Sequence, residues 1–532
     1  MSRRRPPAWL LAAGALVALA ATVPVGYLGI TIAGSWALAV EEVRDERTLQ
    51  LLLYSVGLAA AVTSSAIAVA LPIAWLTVRT DLPARRLWTV LTALPLVIPS
   101  YIGAYLFVSA LGPRGLLQRA LEAPFGVERL PSLYGFPGAW LTLTLFTYPL
   151  VLLTVTGAMR RLDPQLEEAA RGMGRSAAAT YRTVVLPQLV PAIGAGGLLV
   201  SLYVLSDFGA VSIMRFDSFT RAIYTSYRAG FDRVGAASLA ALLVVVMLIV
   251  LWIEGRARRG LAYHRSAPGA ARPVPVIPLG RWRLPALALC GSVVLLALAL
   301  PAGVLVYWSL QSFAGEVDWA AIVTGAGNSV LAASLAALVA GAAAIPVALL
   351  SARFPGRGST LVERASHGGY ALPGVVVALA LVFFGTRVAL PLYQTLAMLV
   401  FALAIHFLPQ ALGPTRASLL QVPPHAEEAA RGLGRGPLGV LLTVTAPLAA
   451  SGLLSGAALV FLTAVKELPA TLILAPIGFE TLATEIWRAT GVGFFERAAI
   501  PSLALLILSA GPLYLLTLAD PGRARDATDA RP

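Results

Sequence analysis

The sequence predicts an all-α membrane protein of about 12 transmembrane helices, arranged as two homologous six-helix halves. Three observations carry that expectation. Of 532 residues, 58% are hydrophobic and only 12% charged, where a soluble domain carries about 25% charged residues. Apolar runs long enough to cross a bilayer recur along the whole chain. One polar stretch, Glu167-Glu168-Ala169-Ala170-Arg171-Gly172-Met173-Gly174-Arg175, returns 260 residues later as Glu427-Glu428-Ala429-Ala430-Arg431-Gly432-Leu433-Gly434-Arg435. No sustained alternation of apolar and polar residues argues for a β-barrel.

The net charge of +14 raises the question of nucleic acid. Its distribution answers it: 27 arginines fall in segments read as cytoplasmic and 12 in those read as external. That asymmetry is the positive-inside bias of a membrane protein, not a phosphate-binding surface, and no nucleic-acid partner is expected. Cys290 is the only cysteine, which excludes an internal disulfide and a cysteine metal cluster.

In chain order, Arg3–Arg5 precede an apolar run from Trp9 to about Ile30. It is read as a retained first span rather than a cleaved signal, because its equivalent in the second half, near 285–309, cannot be a signal. Glu41 to Arg47 form an external charged loop. The second span is expected over 51–78 and the third over 87–110, with Pro95 and Pro99 inside it. Proline is tolerated in such helices because neighbours satisfy the freed carbonyls. An external segment, 111–137, leads to a fourth span over 138–158; a fifth over 191–212 and a sixth over 236–253 follow. The second half repeats this plan with spans near 284–309, 328–350, 368–386, 392–412, 448–475 and 498–518. Ser55, Pro72 and Pro99 correspond to Ser329, Pro346 and Pro373 at an offset of 274, which falls to 260 by the polar repeats. An even number of spans places both termini in the cytoplasm, in keeping with Arg3–Arg5, Arg523 and Arg525.

Each polar repeat reads as a short amphipathic helix on the cytoplasmic side. Asp163 is a plausible N-cap and Pro164 suits the first helical position. Acids come first and arginine last, which suits the helix dipole. Glu167 and Arg171, like Glu427 and Arg431, stand four apart as a surface pair. Gly172 and Gly174 let the chain turn away.

The Glu-Ala-Ala-x-x-x-Gly pattern, with a proline 13 residues after the glycine (Pro187 and Pro447), resembles the signature loop of ABC importer permease subunits. In that family the loop forms a coupling helix that docks in a cleft of a cytoplasmic ATPase. The resemblance assigns docking to Glu168, Ala169 and Gly174 in the first copy and Glu428, Ala429 and Gly434 in the second. The first copy keeps the family's Leu-Pro ending; the second has Ala446-Pro447. The divisions it implies are 1–47, first span and external loop; 48–254, first permease unit; 255–283, an Arg/Pro-rich cytoplasmic linker; 284–324, first span of the second half and its external loop; 325–518, second permease unit; and 519–532, a cytoplasmic tail. The implied partners are the lipid bilayer, two copies of a cytoplasmic ABC ATPase and an external substrate-binding protein, in the cytoplasmic (inner) membrane.

The chain carries no motor. A phosphate-binding loop ends Gly-Lys-Ser/Thr, and the only lysine, Lys466, lies between Val465 and Glu467. ATP and magnesium are therefore expected on a separate ATPase; no cofactor, enzymatic activity or resident metal is expected here.

Two further segments align at 260. Ser206-Asp207-Phe208-Gly209-Ala210 and Lys466-Glu467-Leu468-Pro469-Ala470 each put an acid in or beside the fifth span. A carboxylate there costs several kcal/mol unless it is paired or wet. Asp207, Lys466 and Glu467 are accordingly the candidates for a pathway or gate, against the plainer reading of acids bonded to backbone at a span end. Beyond them, Phe219, Tyr227 and Arg228 match Phe479, Trp487 and Arg488 in external amphipathic stretches. His406 lies in a span, where packing donor is the plainer reading and a transport role the sharper one. Residues Lys466 to Leu474 with Gly478 to Thr484 resemble the iron(III) branch of these permeases, in which an external protein delivers ferric ion. Thiamine is the alternative cargo, then polyamine or sulfate. A 12-span secondary transporter is the rival from another class; it has no use for duplicated cytoplasmic Glu-Ala-Ala loops.

Overall fold

The computed structural model describes residues 6–34, 36–230, 232–258, 276–314 and 317–518. Arg3–Arg5, Arg523, Arg525 and the centre of the linker (259–275) lie outside the described residues. The described chain is helical, with one isolated parallel bridge between Thr80 and Ile277.

Nine helices among the described residues are long and apolar enough to cross a membrane, and a bent pair makes ten. The two remaining expected spans, 368–386 and 498–518, coincide with Gly374–Arg387 and Phe495–Leu518. The protein is thus a multi-pass membrane protein built from two repeats. The longest helices, Glu46–Arg79 and Trp319–Arg353, are the second span of each half.

The third span, expected over 87–110, is not one continuous helix. Arg85–Val97 and Ser100–Phe125 meet at a bend of 97°. The break sits before Pro99, where Ile98 is extended. A proline clashes with a helical predecessor and forces it out of the helix. The repeat bends alike: Leu372 is extended before Pro373, and the helix restarts at Gly374. The fifth span also starts earlier than Pro191. Helical structure runs unbroken from Ala177 to Ser206 through a π-turn at Tyr181–Val185, and again from Pro437 to Ala464 through one at Leu441–Thr445.

The chain divides into two compact units that do not follow the sequence halves. One gathers Met1–Val40, Ala229–Ala241 and Gly315–Pro532; the other gathers Glu41–Arg228 and Leu242–Ala314. Each therefore contains the other half's first span. In the former, Gly14 passes close to Leu350 and Val362, and Tyr27 meets Phe384 edge-on. In the latter, Trp308 donates to Ser109, and Cys290 is buried in a cluster with Leu76, Leu82 and Ala286. An apolar run encodes burial in lipid or protein but not which neighbour it meets, so the sequence left each first span with its own half. Within each unit small residues bring helices together: Gly196 lies against Val151 and Thr154, and Gly456 against Ala411. Close approach through small residues is the usual packing device where lipid offers no hydrophobic drive.

Candidate functional site

The polar repeats fold as the helices Pro164–Gly172 and Pro424–Gly432. Asp163 caps the first, accepting from the Gln165 N–H at 3.0 Å, with Pro164 at the first helical position. The ends are alike. The Arg175 N–H returns to the Ala170 carbonyl at 3.2 Å and the Gly174 N–H to Arg171 at 2.9 Å; Arg435 and Gly434 repeat this on Ala430 and Arg431 at 3.2 and 3.0 Å. This closure needs a left-handed residue, met by Gly174 (φ 79°) and Gly434 (φ 82°). The turning glycine is thus the second of each pair; Gly172 and Gly432 remain helical. Arg175 and Arg435 then fold back onto Thr183 and Thr443.

All six residues assigned to docking, Glu168, Ala169, Gly174, Glu428, Ala429 and Gly434, lie on the exposed side. Beside them Met173 and Leu433 are 73% and 84% exposed. Each is a large apolar side chain left exposed on a polar loop. Motif matching misses both because they fall on unconstrained positions of the pattern.

Glu167 and Glu427 point the other way. Both are buried, and each meets the arginine that ends its half's second span. Arg79 pairs with Glu167, and Arg353 donates to Glu427 Oε1 through Nε at 3.2 Å and Nη2 at 2.9 Å. The Glu427–Arg431 surface pair is present at 3.3 Å. The corresponding expectation for Glu167 and Arg171 is corrected: burial turns Glu167 inward onto Arg79. Arg79 and Arg353 stand 274 apart and their acids 260 apart; the mixed offsets hid the duplicated pair.

The candidate gate acids occupy matched places inside their own units. Asp207 ends the helix Leu186–Ser206 and bonds the next turn, accepting from the Ala210 and Val211 N–H groups at 2.9 and 3.2 Å. Ser100 Oγ also donates to it. Glu467 accepts from the Ala470 N–H at 3.3 Å. Lys466 lies just beyond the helix Ala446–Ala464 and is partly buried. The position equivalent to Ser100 is Gly374, where a Cβ would collide with Glu467 Oε1. A short acid with a serine in one half is therefore replaced by a longer acid with a glycine in the other.

The segments that follow the gate candidates, expected to be external, align differently from the sequence expectation. Ser55 Oγ accepts from the Phe219 N–H at 3.1 Å, and its equivalent Ser329 accepts from the Leu482 N–H at 2.9 Å. Phe219 thus matches Leu482, not Phe479, and the offset has risen by three residues between the gate acids and these helices. Ser218 and Thr481 occupy equivalent caps, and Tyr224 takes the place opposite Trp487. His406 Nδ1 lies 3.1 Å from the Gly369 carbonyl, as a packing donor would. Among the described residues, no group of three or more histidine, cysteine, aspartate or glutamate side chains is arranged to hold a metal ion.

The Fe(3+)-transport system permease protein FbpB 2 of Haemophilus influenzae is 31% identical over 519 residues, covering 96% of this chain and 98% of the relative. The ferric transport system permease protein FbpB of Actinobacillus pleuropneumoniae is 22% identical across 80% of this chain and 64% of its own length. The molybdenum transport system permease protein ModB of Escherichia coli K12 is 30% identical over 36% of this chain and 87% of its own. Residues 66–262 and 344–524 each match the family of binding-protein-dependent transport system inner membrane components. With two copies of that module and a near full-length relative, the chain belongs to the binding-protein-dependent transport system inner membrane components.

Proposed function

We propose that this chain is the transmembrane permease of an ATP-driven importer that carries ferric iron, delivered by an external binding protein, into the cytoplasm. The observation that carries the reading is the near full-length similarity to the Haemophilus ferric permease, joined to two exposed polar helices closed by the same glycine turn. Family membership removes the secondary-transporter rival.

In this reading two ATPase subunits dock, one at each tip. Glu168, Ala169 and Met173 make one contact surface, and Glu428, Ala429 and Leu433 the other. ATP and magnesium act on the ATPase, and its closure pushes the tips. Asp207, Lys466 and Glu467 lie where the fifth spans break, in places suited to a gate. The iron is cargo, held tightly by the delivering protein and only passed on here; a tight site in the spans would slow its release. Both termini and the linker face the cytoplasm.

The test is uptake of labelled ferric iron by cells lacking this chain and by cells regaining it, with labelled thiamine in parallel. Restored iron uptake supports the cargo. Thiamine uptake alone keeps the importer and discards iron.

A further inference from the structure

We infer that Arg79 and Arg353 are positioning residues of the coupling step, each tying the cytoplasmic end of a long span to the root of a coupling helix, and that the two ties are unequal. The inference deepens the proposed function, since it takes the two helices as the points where an ATPase pushes.

Each tie joins elements far apart in sequence. Arg79 is the last residue of Glu46–Arg79, and Arg353 the last of Trp319–Arg353. Glu167 and Glu427 stand in the first turns of the coupling helices, on the faces opposite Glu168 and Glu428. A push on the exposed face therefore reaches the span through a buried charge pair. In a low-dielectric site such a pair resists separation, because parting the charges leaves both unsolvated.

The second tie is amply bonded. Arg353 Nη2 also donates to the Val422 carbonyl at 2.9 Å, while Glu427 also accepts from Thr445 Oγ1 at 3.2 Å and from Arg431 at 3.3 Å. The first is sparse. Arg79 is 1% exposed, and no described group accepts from its Nε or Nη1 or donates to Glu167 Oε1. Where the second half has Thr445, the first has Val185. What the first tie has instead is Trp75, whose ring lies 5.4 Å from the Arg79 guanidinium, and the end of the inter-half linker. The Ile277 N–H donates to the Arg79 carbonyl at 2.8 Å, and the Leu279 N–H to Asp81 Oδ1 at 2.7 Å. Span, coupling helix and linker thus converge on Arg79.

The inequality has a direct consequence. Removing Arg79 strands Glu167 in a buried place with no second donor among the described residues. Removing Arg353 leaves Glu427 with Arg431 and Thr445. Loss of the first tie should therefore cost more.

The experiment uses the full chain in lipid nanodiscs, with Arg79→Gln, Arg353→Gln, and the reversal Arg79→Glu with Glu167→Arg. Hydrogen exchange over residues 164–175 and 424–435 reads the tie without any ATPase. Arg79→Gln should speed exchange at least tenfold in the first segment alone, Arg353→Gln should speed it less in the second alone, and the reversal should restore slow exchange. In the complex with ATPase, Arg79→Gln should lower cargo moved per ATP hydrolysed at least fivefold while the ATPase stays bound. Unchanged exchange in both segments overturns the tie, and equal effects overturn the inequality. If exchange responds as expected but no ATPase binds the parent chain, the proposed function fails and the tie stands. Uniformly faster exchange along the chain would show misfolding; a Lys substitution that keeps the charge then decides, by restoring slow exchange or failing to.

Discussion

The serine–aspartate and glycine–glutamate sets beside the two broken fifth spans make a swap that the structure can price. In the second half, Gly374→Ser places a side chain where Glu467 Oε1 already sits. Overpacking of this kind costs about 1–3 kcal/mol. Glu467→Asp alone withdraws the carboxylate by one methylene, which costs about 1 kcal/mol and pulls it from the Ala470 N–H. If the two sites were independent, the double variant would lose about 2–4 kcal/mol, the sum of these terms. The other half shows they are not: Ser100 and Asp207 coexist there, with Ser100 donating to the acid. Gly374→Ser with Glu467→Asp should therefore recover most of the loss, a coupling of about 1–3 kcal/mol. Unfolding of the four proteins in mixed micelles, followed by tryptophan fluorescence, reads the cycle. Losses that add to within about 0.5 kcal/mol would refute the reasoning, because they would mean the acid and its neighbour do not share space.

Gly434→Ala and Gly174→Ala place a side chain at positive φ, a strain of about 1–2 kcal/mol. If the closing turn unwinds and must re-form on docking, ATPase retention on a chain-coated surface should weaken about 5–30-fold; unaltered retention would show that the turn is not part of the contact. Ser55→Ala and Ser329→Ala each leave a buried N–H, on Phe219 or Leu482, without its acceptor, so each should destabilise by about 1–3 kcal/mol. An effect at Phe479 rather than Leu482, read by local hydrogen exchange, would restore the simpler alignment. Outside the spans, Glu485 has its pKa raised to about 7, chiefly by burial and further by Glu480 and Asp318, against Arg488. A raised acid favours the folded chain while protonated, so stability should fall as pH rises from about 4.5 to about 7. Glu485→Gln should flatten that part of the melting profile, and an unchanged slope would assign it to another group.

Much of this was legible in the sequence because repetition multiplies weak signals. A single Glu-Ala-Ala loop is an ordinary solvated helix; two at one offset, each followed by proline after the same interval, are a duplicated device. What escaped was what depends on direction rather than composition. Glu167 and Glu168 are adjacent and identical, yet the helix turns one toward Arg79 and the other toward solvent. The bends before Pro99 and Pro373 were hidden because an apolar run with proline inside reads equally well as a straight span. The change of register between Asp207 and Phe219 left no mark, since Phe219 and Phe479 offered a false match three residues early.

The most direct test of the central claim concerns the tips themselves. The chain is purified from membranes with its ATPase, as the parent and with Glu168→Ala and Glu428→Ala together. Both carboxylates lie on the exposed side of helices whose folded shape is set by other groups, so insertion and folding should be unchanged while the ATPase is lost. A normal yield of ATPase with the double variant would contradict docking through these helices.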